Sequence, residues 1–345
     1  MRNFKKILKS NLYIISTIIV LVLLFEIYFR CTEIILPSFV YDNPELGRTH
    51  KASSLVNLVG AEGFYMGKIN NFGYPGKEYP PAKEPNTFRI ALIGDSYVEG
   101  FQLFERHHFA RLLEKELNRI SDKKIEILNF GTGGADFRGM YLRYTKLAKI
   151  FNPDLTLFFL KNEDLLQKDA IPMPEPKITN DTIIYNKLEI TNLAHRLRDQ
   201  FALVRDYSTG NLFKEVFEVI FTGRFPAVFF DKIYFLLNYN NDRYNNFSIQ
   251  EDKFYDFNKK IIELLSRGNN IKNNSIIVEV EKLPDNYNYL FNANNIKTFK
   301  LFEELNKYSD YELKYWKASG KFGHWNQKAH FIIENFLLNQ LKNKF

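Results

Sequence analysis

The sequence predicts a three-layer α/β/α protein, a mostly parallel sheet of about five strands with helices on both sides, behind one apolar N-terminal helix. Three observations predict it. From Phe88 onward, short apolar runs alternate with amphipathic stretches, the rhythm of strand, helix, strand. The loops after successive runs carry Gly, Ser and Asn in a pattern richer than turn chemistry alone requires. Residues Leu12 to Phe29, "LYIISTIIVLVLLFEIYF", hold one charge, Glu26, over a length that spans a bilayer as a helix.

Each element follows in order. Phe88–Ile93 reads as the first strand. Phe109–Ile120 places Phe109, Leu112, Leu113 and Leu117 on one helical face. Ile125–Phe130 is a second strand, Met140–Ile150 a helix, and Leu155–Leu160 a third strand. Phe254–Leu265 is helical, Ser275–Val280 is strand four, Ile296–Tyr308 is helical and Tyr311–Trp316 is the fifth strand. Asn326–Leu341 closes the chain as a helix with Asn326 as its N-cap. His330 lies inside that helix and reads as structural.

The organisation predicted is a basic cytoplasmic tail (1–11), a transmembrane signal anchor (12–30), a lead-in segment (31–85) and an α/β domain (86–345). The lead-in, rich in Gly and Pro with interleaved aromatics, is expected to wrap onto the domain. An insertion at about 168–250 breaks the rhythm. It holds a short hairpin around Asn186-Lys187 and an aromatic run, "FPAVFFDKIYFLLNY", read as helix core.

Charge and composition narrow the function classes. The formal net charge is +7, and Arg2, Lys5, Lys6 and Lys9 supply four of those seven. The remaining body is near balance, so nothing marks a nucleic-acid partner. The basic flank keeps the N-terminus in the cytoplasm and sends the rest outward. Bulky residues Phe25, Tyr28 and Phe29 follow the apolar core where a cleaved signal peptide would have small ones, which favours an uncleaved anchor. Cys31 is the one cysteine, so no internal disulfide and no cysteine-based metal site can form. His107 and His108 stand side by side without other ligands and do not read as a metal site.

Three loops carry the chemistry. "GDSYVEG" follows the first strand, "NFGTGGAD" the second and "LKNED" the third. Each gap between them fits one crossover of a parallel sheet, so all three should emerge at the carboxyl rim, where open α/β sheets bind ligands. Ser96 there is a candidate nucleophile, Gly134 a backbone donor and Asn162 an amide donor. Asp95 reads as a structural residue that bonds the loop's own amides. A base is still needed, and His324 in "GKFGHWNQKAH" lies in a loop that can reach the same rim.

With these residues assembled, the sequence resembles the SGNH/GDSL hydrolases. The four motif positions stand in family order: Ser96 in "GDSYVEG", Gly134 in "NFGTGGAD", Asn162 in "LKNED" and His324 in "GHWNQKAH". The resemblance covers roughly residues 70–165 and 250–342. It implies a flavodoxin-like sheet, Ser96 as nucleophile and His324 as general base. Ser96 N–H, Gly134 N–H and the Asn162 amide would form the oxyanion hole, with no cofactor and no metal. The sequence departs from the pattern in two ways. Leu160 stands where the family has glycine, and Lys321 and Phe322 stand where the family's acid precedes the histidine. Glu163, Asp164 and Asp310 are candidates to replace that acid.

The function expected is a membrane-anchored serine esterase or O-acyltransferase of the bacterial cell-envelope type. It would act outside the cytoplasm, in the periplasm or at the cell surface, on acyl (foremost acetyl) esters of an envelope glycan. Two further readings stand beside it. One is a catalytically degenerate relative that binds a glycan or an envelope partner, motivated by the missing acid. The other is a lipid esterase that sets its aromatic insertion against the bilayer.

Overall fold

The structure is a computed structural model, and it describes residues 2–35, 39–60, 62–166, 172–188, 251–269, 274–317 and 320–345. The chain divides into two compact units, and residues 38–188 with 249–345 make the larger. Helix α1, Arg2–Ile35, belongs to the other unit. Its window Asn11–Tyr28 is long and apolar enough to cross a membrane by length and composition, and none of that window is buried. The helix runs past the expected end of the anchor, through Cys31.

The lead-in is more ordered than its Gly and Pro content predicts. Strands β1 (Val40–Asn43) and β2 (Gly47–His50) form one antiparallel hairpin. Strands β3 (Leu55–Gly60) and β4 (Gly63–Lys68) form a second. The first turns on Asn43, whose Oδ1 accepts the N–H groups of Glu45 and Leu46.

The α/β body then follows. It contains β5 (Thr87–Ile93), α2 (Ser96–Glu99), α3 (Phe109–Ile120), β6 (Lys124–Asn129), α4 (Phe137–Lys146) and β7 (Leu155–Leu160). A small hairpin, β8 (Pro176–Ile178) with β9 (Ile183–Tyr185), comes next. It turns through Thr179–Thr182, not around Asn186-Lys187 as expected. The rest of the insertion, with its aromatic run, lies outside the described residues. The body resumes with α5 (Glu251–Asn269), β10 (Asn274–Glu279), α6 (Asp285–Ala293) and β11 (Lys297–Phe299). It closes with α7 (Leu301–Leu305), α8 (Asp310–Lys314), the short antiparallel pair β12 (Tyr315–Trp316) and β13 (Lys321–Phe322), and α9 (Gln327–Leu341).

Five strands make one wholly parallel sheet in the order β6–β5–β7–β10–β11. The first strand sits between the second and third, as in flavodoxin-like sheets, and the order reverses beside β5. The fifth strand is a correction. It is Lys297–Phe299, inside a stretch expected to be helical, whereas the helix turn Asp310–Lys314 takes up most of the expected strand Tyr311–Trp316. A capping box decides the latter: Glu312 accepts the Ser309 N–H while its own N–H bonds back to Ser309.

Both faces of the sheet are buried, which is why its strands are continuously apolar. Ile90, Leu92, Leu157 and Phe159 join Phe109 and Leu113 of α3 and Ile333 and Leu337 of α9 in one core. Ala91, Ile93, Phe158 and Leu160 join α4 and α5 in the other. Arg89 is wholly buried between the layers. Its guanidinium pairs with Glu126 at 2.6 Å and donates to the carbonyls of Pro80, Pro81 and Phe151. The lead-in is thereby pinned to the sheet, and the buried charge keeps a full set of partners.

Candidate active site

The carboxyl ends of β5, β6 and β7 carry the three loops to one rim. Strand β5 ends at Ile93, and Gly94 follows because a Cβ there would meet Val98 Cγ2 at 2.3 Å. Asp95 caps the short helix α2 by accepting the Tyr97 N–H at 3.0 Å. It also pairs with Lys161 Nζ at 2.8 Å, the structural role its position predicts. Ser96 is therefore held at a rigid corner. Asn129, at the end of β6, locks the second loop onto the first. Its amide donates to Val98 O at 2.8 Å and its Oδ1 accepts the Gly131 N–H. Thr132 N–H donates to Gly94 O at 3.0 Å.

His324 arrives from 228 residues away and places Nε2 2.7 Å from Ser96 Oγ. Two observations explain how it is held there. Trp316 Nε1–H donates to the His324 carbonyl at 3.0 Å, and Asn326 caps α9 directly after it. The Tyr97 ring lies beside the imidazole, with centroids 4.7 Å apart.

The far side of the imidazole meets a carboxylate that none of the candidates supplies. It belongs to Glu62, in the turn between β3 and β4. Glu62 Oε2 lies 2.6 Å from His324 Nδ1 and also accepts the His324 N–H at 2.8 Å. Burial opposes ionisation of Glu62, but the ring, the backbone N–H and the charge of His324 together lower its pKa below the usual carboxylate value. Gly323 makes the contact possible: a Cβ there would stand 2.2 Å from the Glu62 carboxyl carbon. With the Nδ1 proton directed at Glu62, Nε2 is left to accept the serine proton.

The three expected acids lie elsewhere. Asp164 accepts the Lys161 N–H at 2.8 Å, Glu163 pairs with Lys161 Nζ, and exposed Asp310 pairs with Lys314 at 3.0 Å. Lys161 and Asp164 close the turn after β7, whereas Asp310 starts a helix turned to solvent. Glu163, Asp164 and Asp95 lie close enough together to share a cation. Lys161 Nζ pairs with two of them. Although burial works against its charge, Asp95 and Asp164 hold its pKa well above the ordinary lysine value.

Of the expected donors, Gly134 has the left-handed φ of +76° that glycine accommodates, while its neighbour Gly133 lines the cavity. Asn162 opens the turn after β7, exposed, with its N–H on Glu281. Its side-chain amide makes no hydrogen bond to another described residue. His108 and His330 are buried helix-end groups, accepting the N–H of Ala110 and of Phe109. His107 Nδ1 contacts Gln327 at 3.0 Å. None of these three belongs to the site.

In front of Ser96 lies a cavity of about 420 Å³. The lead-in forms much of its wall, through Phe39, His50, Leu58 and Glu62, beside Ser96, Glu99 and His324. Glu62 was missed because the lead-in lies outside the motif-bearing stretches. The available signal was spatial: an acid between glycines, "GAEG", and a second glycine directly before the histidine.

No family model matches the sequence, and no curated protein matches it. Solved structures do resemble it. A lipase/acylhydrolase from Enterococcus faecalis is 13% identical over 74% of this chain and 96% of that one, with a TM-score of 0.38. A member of the lipolytic protein G-D-S-L family from Veillonella parvula is 12% identical over 73% and 97%, with a TM-score of 0.35. An acetylxylan esterase from Geobacillus stearothermophilus is 10% identical over 74% and 94%, with a TM-score of 0.38. Likeness at this level leaves the chemistry to be read from the site itself.

Proposed function

We propose that the chain is a serine ester hydrolase of the SGNH type. The observation that carries the reading is the unbroken line Ser96 Oγ–His324–Glu62, with contacts of 2.7 and 2.6 Å. Ser96 Oγ attacks the ester carbonyl while His324 Nε2 takes its proton. The Ser96 and Gly134 N–H groups and the Asn162 amide receive the oxyanion. Glu62 holds the imidazole's orientation and offsets the charge it gains. His324 then returns the proton to the leaving alcohol, and water or a sugar hydroxyl takes the acyl group from Ser96.

The finer reading is an acetyl-ester substrate on a cell-envelope glycan, with the domain outside the membrane on α1. Support for the membrane placement comes from the basic residues ahead of the apolar window. The carboxylate on His324 removes the motive for a non-catalytic role. A fluorophosphonate probe tests the reading on the full-length protein. Labelling is expected at Ser96, absent in Ser96→Ala and strongly slowed in His324→Ala. A folded protein that takes up no probe would refute it.

A further inference from the structure

A second histidine–carboxylate contact lies in the same cavity. His50 Nε2 is 2.6 Å from Glu99 Oε1. The His50 side chain is 2% exposed, packed between the rings of Phe39 and Phe101. Glu99 comes three residues after Ser96 on α2, and no hydrogen bond among the described residues ties this pair to Glu62 or His324. Its other oxygen, Oε2, lies 3.1 Å from the point where a Gly133 Cβ would be, and Ser96 Cβ lies 3.7 Å from that same point. No described residue donates to Oε2. An acceptor thus stands at the cavity wall beside the reacting hydroxyl, clamped through its first oxygen.

An acceptor-only group selects a ligand that brings O–H or N–H. The surrounding charge argues against a cation. Buried Arg143 bonds Thr132 Oγ1 at 2.8 Å and feels the Glu99 charge, and Arg48 lines the cavity as well. A neutral hydroxyl fits this field better than an ammonium. Phe39, Val40, Leu58 and Phe101 add an apolar, partly aromatic stretch to the wall. A sugar or polyol presents both features, hydroxyl donors at its edge and C–H groups on its face.

We propose that Glu99, clamped by His50, is the specificity-determining residue of the site and accepts a hydrogen bond from a free hydroxyl of the substrate's sugar or polyol part. The proposal rests on the ester-hydrolase reading and names its substrate class. Glu99 forms no covalent bond and moves no proton; it positions the ester over Ser96.

The test uses full-length Ser96→Ala protein and two probes, a mono-acetylated methyl xyloside and its fully acetylated counterpart, which has no donor. The mono-acetylated probe is expected to bind more tightly. Adding Glu99→Gln should weaken it about tenfold and close the gap between the probes, the scale of one hydrogen bond to a charged group. His50→Leu should have the same effect, and His50→Gln, which keeps an N–H toward Glu99, should restore the preference. Equal affinity for the two probes in Ser96→Ala, or an unchanged preference in Glu99→Gln, overturns the proposal. Fluorophosphonate labelling separates the two ideas. Labelling without probe preference sinks only this inference, and a Glu99-dependent preference without labelling sinks only the esterase reading.

Discussion

The sheet rim and the lead-in hairpins meet at one cavity but are held by different physics. The rim is local. Ser96 and the glycine loop are placed by strands β5 and β6, fixed by their own ladder and by Asn129. The lead-in is tertiary throughout. Two-stranded hairpins are marginal alone, and these are held by ring contacts of Phe101 with Phe39 and Tyr65 and by Arg89 gripping Pro80 and Pro81. The reacting hydroxyl is thus positioned by neighbours in sequence. The carboxylate that orients the base is positioned across 262 residues. The difference teaches that a rim can be complete while its catalytic assembly is not.

The largest expected effect comes from the rim. Ser96→Ala or His324→Ala should each lower esterase kcat by on the order of 10⁶, as removal of a nucleophile or its base does elsewhere. If the lead-in is catalytic too, Glu62→Gln should cost on the order of 10⁴ in kcat with little change in thermal stability. A loss under tenfold would reduce the lead-in to scaffolding. Arg89→Met tests how the two regions are joined. It leaves buried Glu126 with Lys124 alone and strands the carbonyls that Arg89 held, and urea titration should show a loss of about 3 kcal/mol. Gly323→Ala should push Glu62 off the imidazole and lower kcat by about tenfold to a hundredfold while Ser96 stays in place.

A pH-dependent effect concerns the packing between α3 and α9. Burial pushes the His108 pKa down to about 3 and that of His330 well below its ordinary 6.5. Both are neutral in the folded chain, whereas the unfolded chain protonates them below about 6.5. Stability is therefore whole above that pH and falls on acidification from 6.5 toward 3. The slope is about 1.4 kcal/mol per pH unit for each imidazole. Denaturation midpoints measured across that window should lose about half of the combined slope in His330→Gln.

Most of the sheet and the Ser96–His324 encounter were legible because period and motif both report local geometry. Phe109–Ile120 and Leu155–Leu160 match the structure residue for residue. The fifth strand was not legible, since Lys297–Phe299 is too short for a period to register. Tyr311, Leu313 and Tyr315 alternate as in a strand, and the Ser309–Glu312 capping box outweighs that pattern. Glu62 and His50 carried no motif. Their roles come from where hairpins dock, which spacing along the chain does not encode.

The position of Glu62 also governs how the protein can be shortened. A variant trimmed to begin at Thr87 would retain every motif of the family pattern and all five sheet strands. It would nevertheless lose the acid, the His50 clamp and the Pro80 and Pro81 carbonyls that hold Arg89. Such a fragment would pass for a hydrolase by sequence and be crippled in the tube, so any soluble version should be cut before residue 39, not after residue 85.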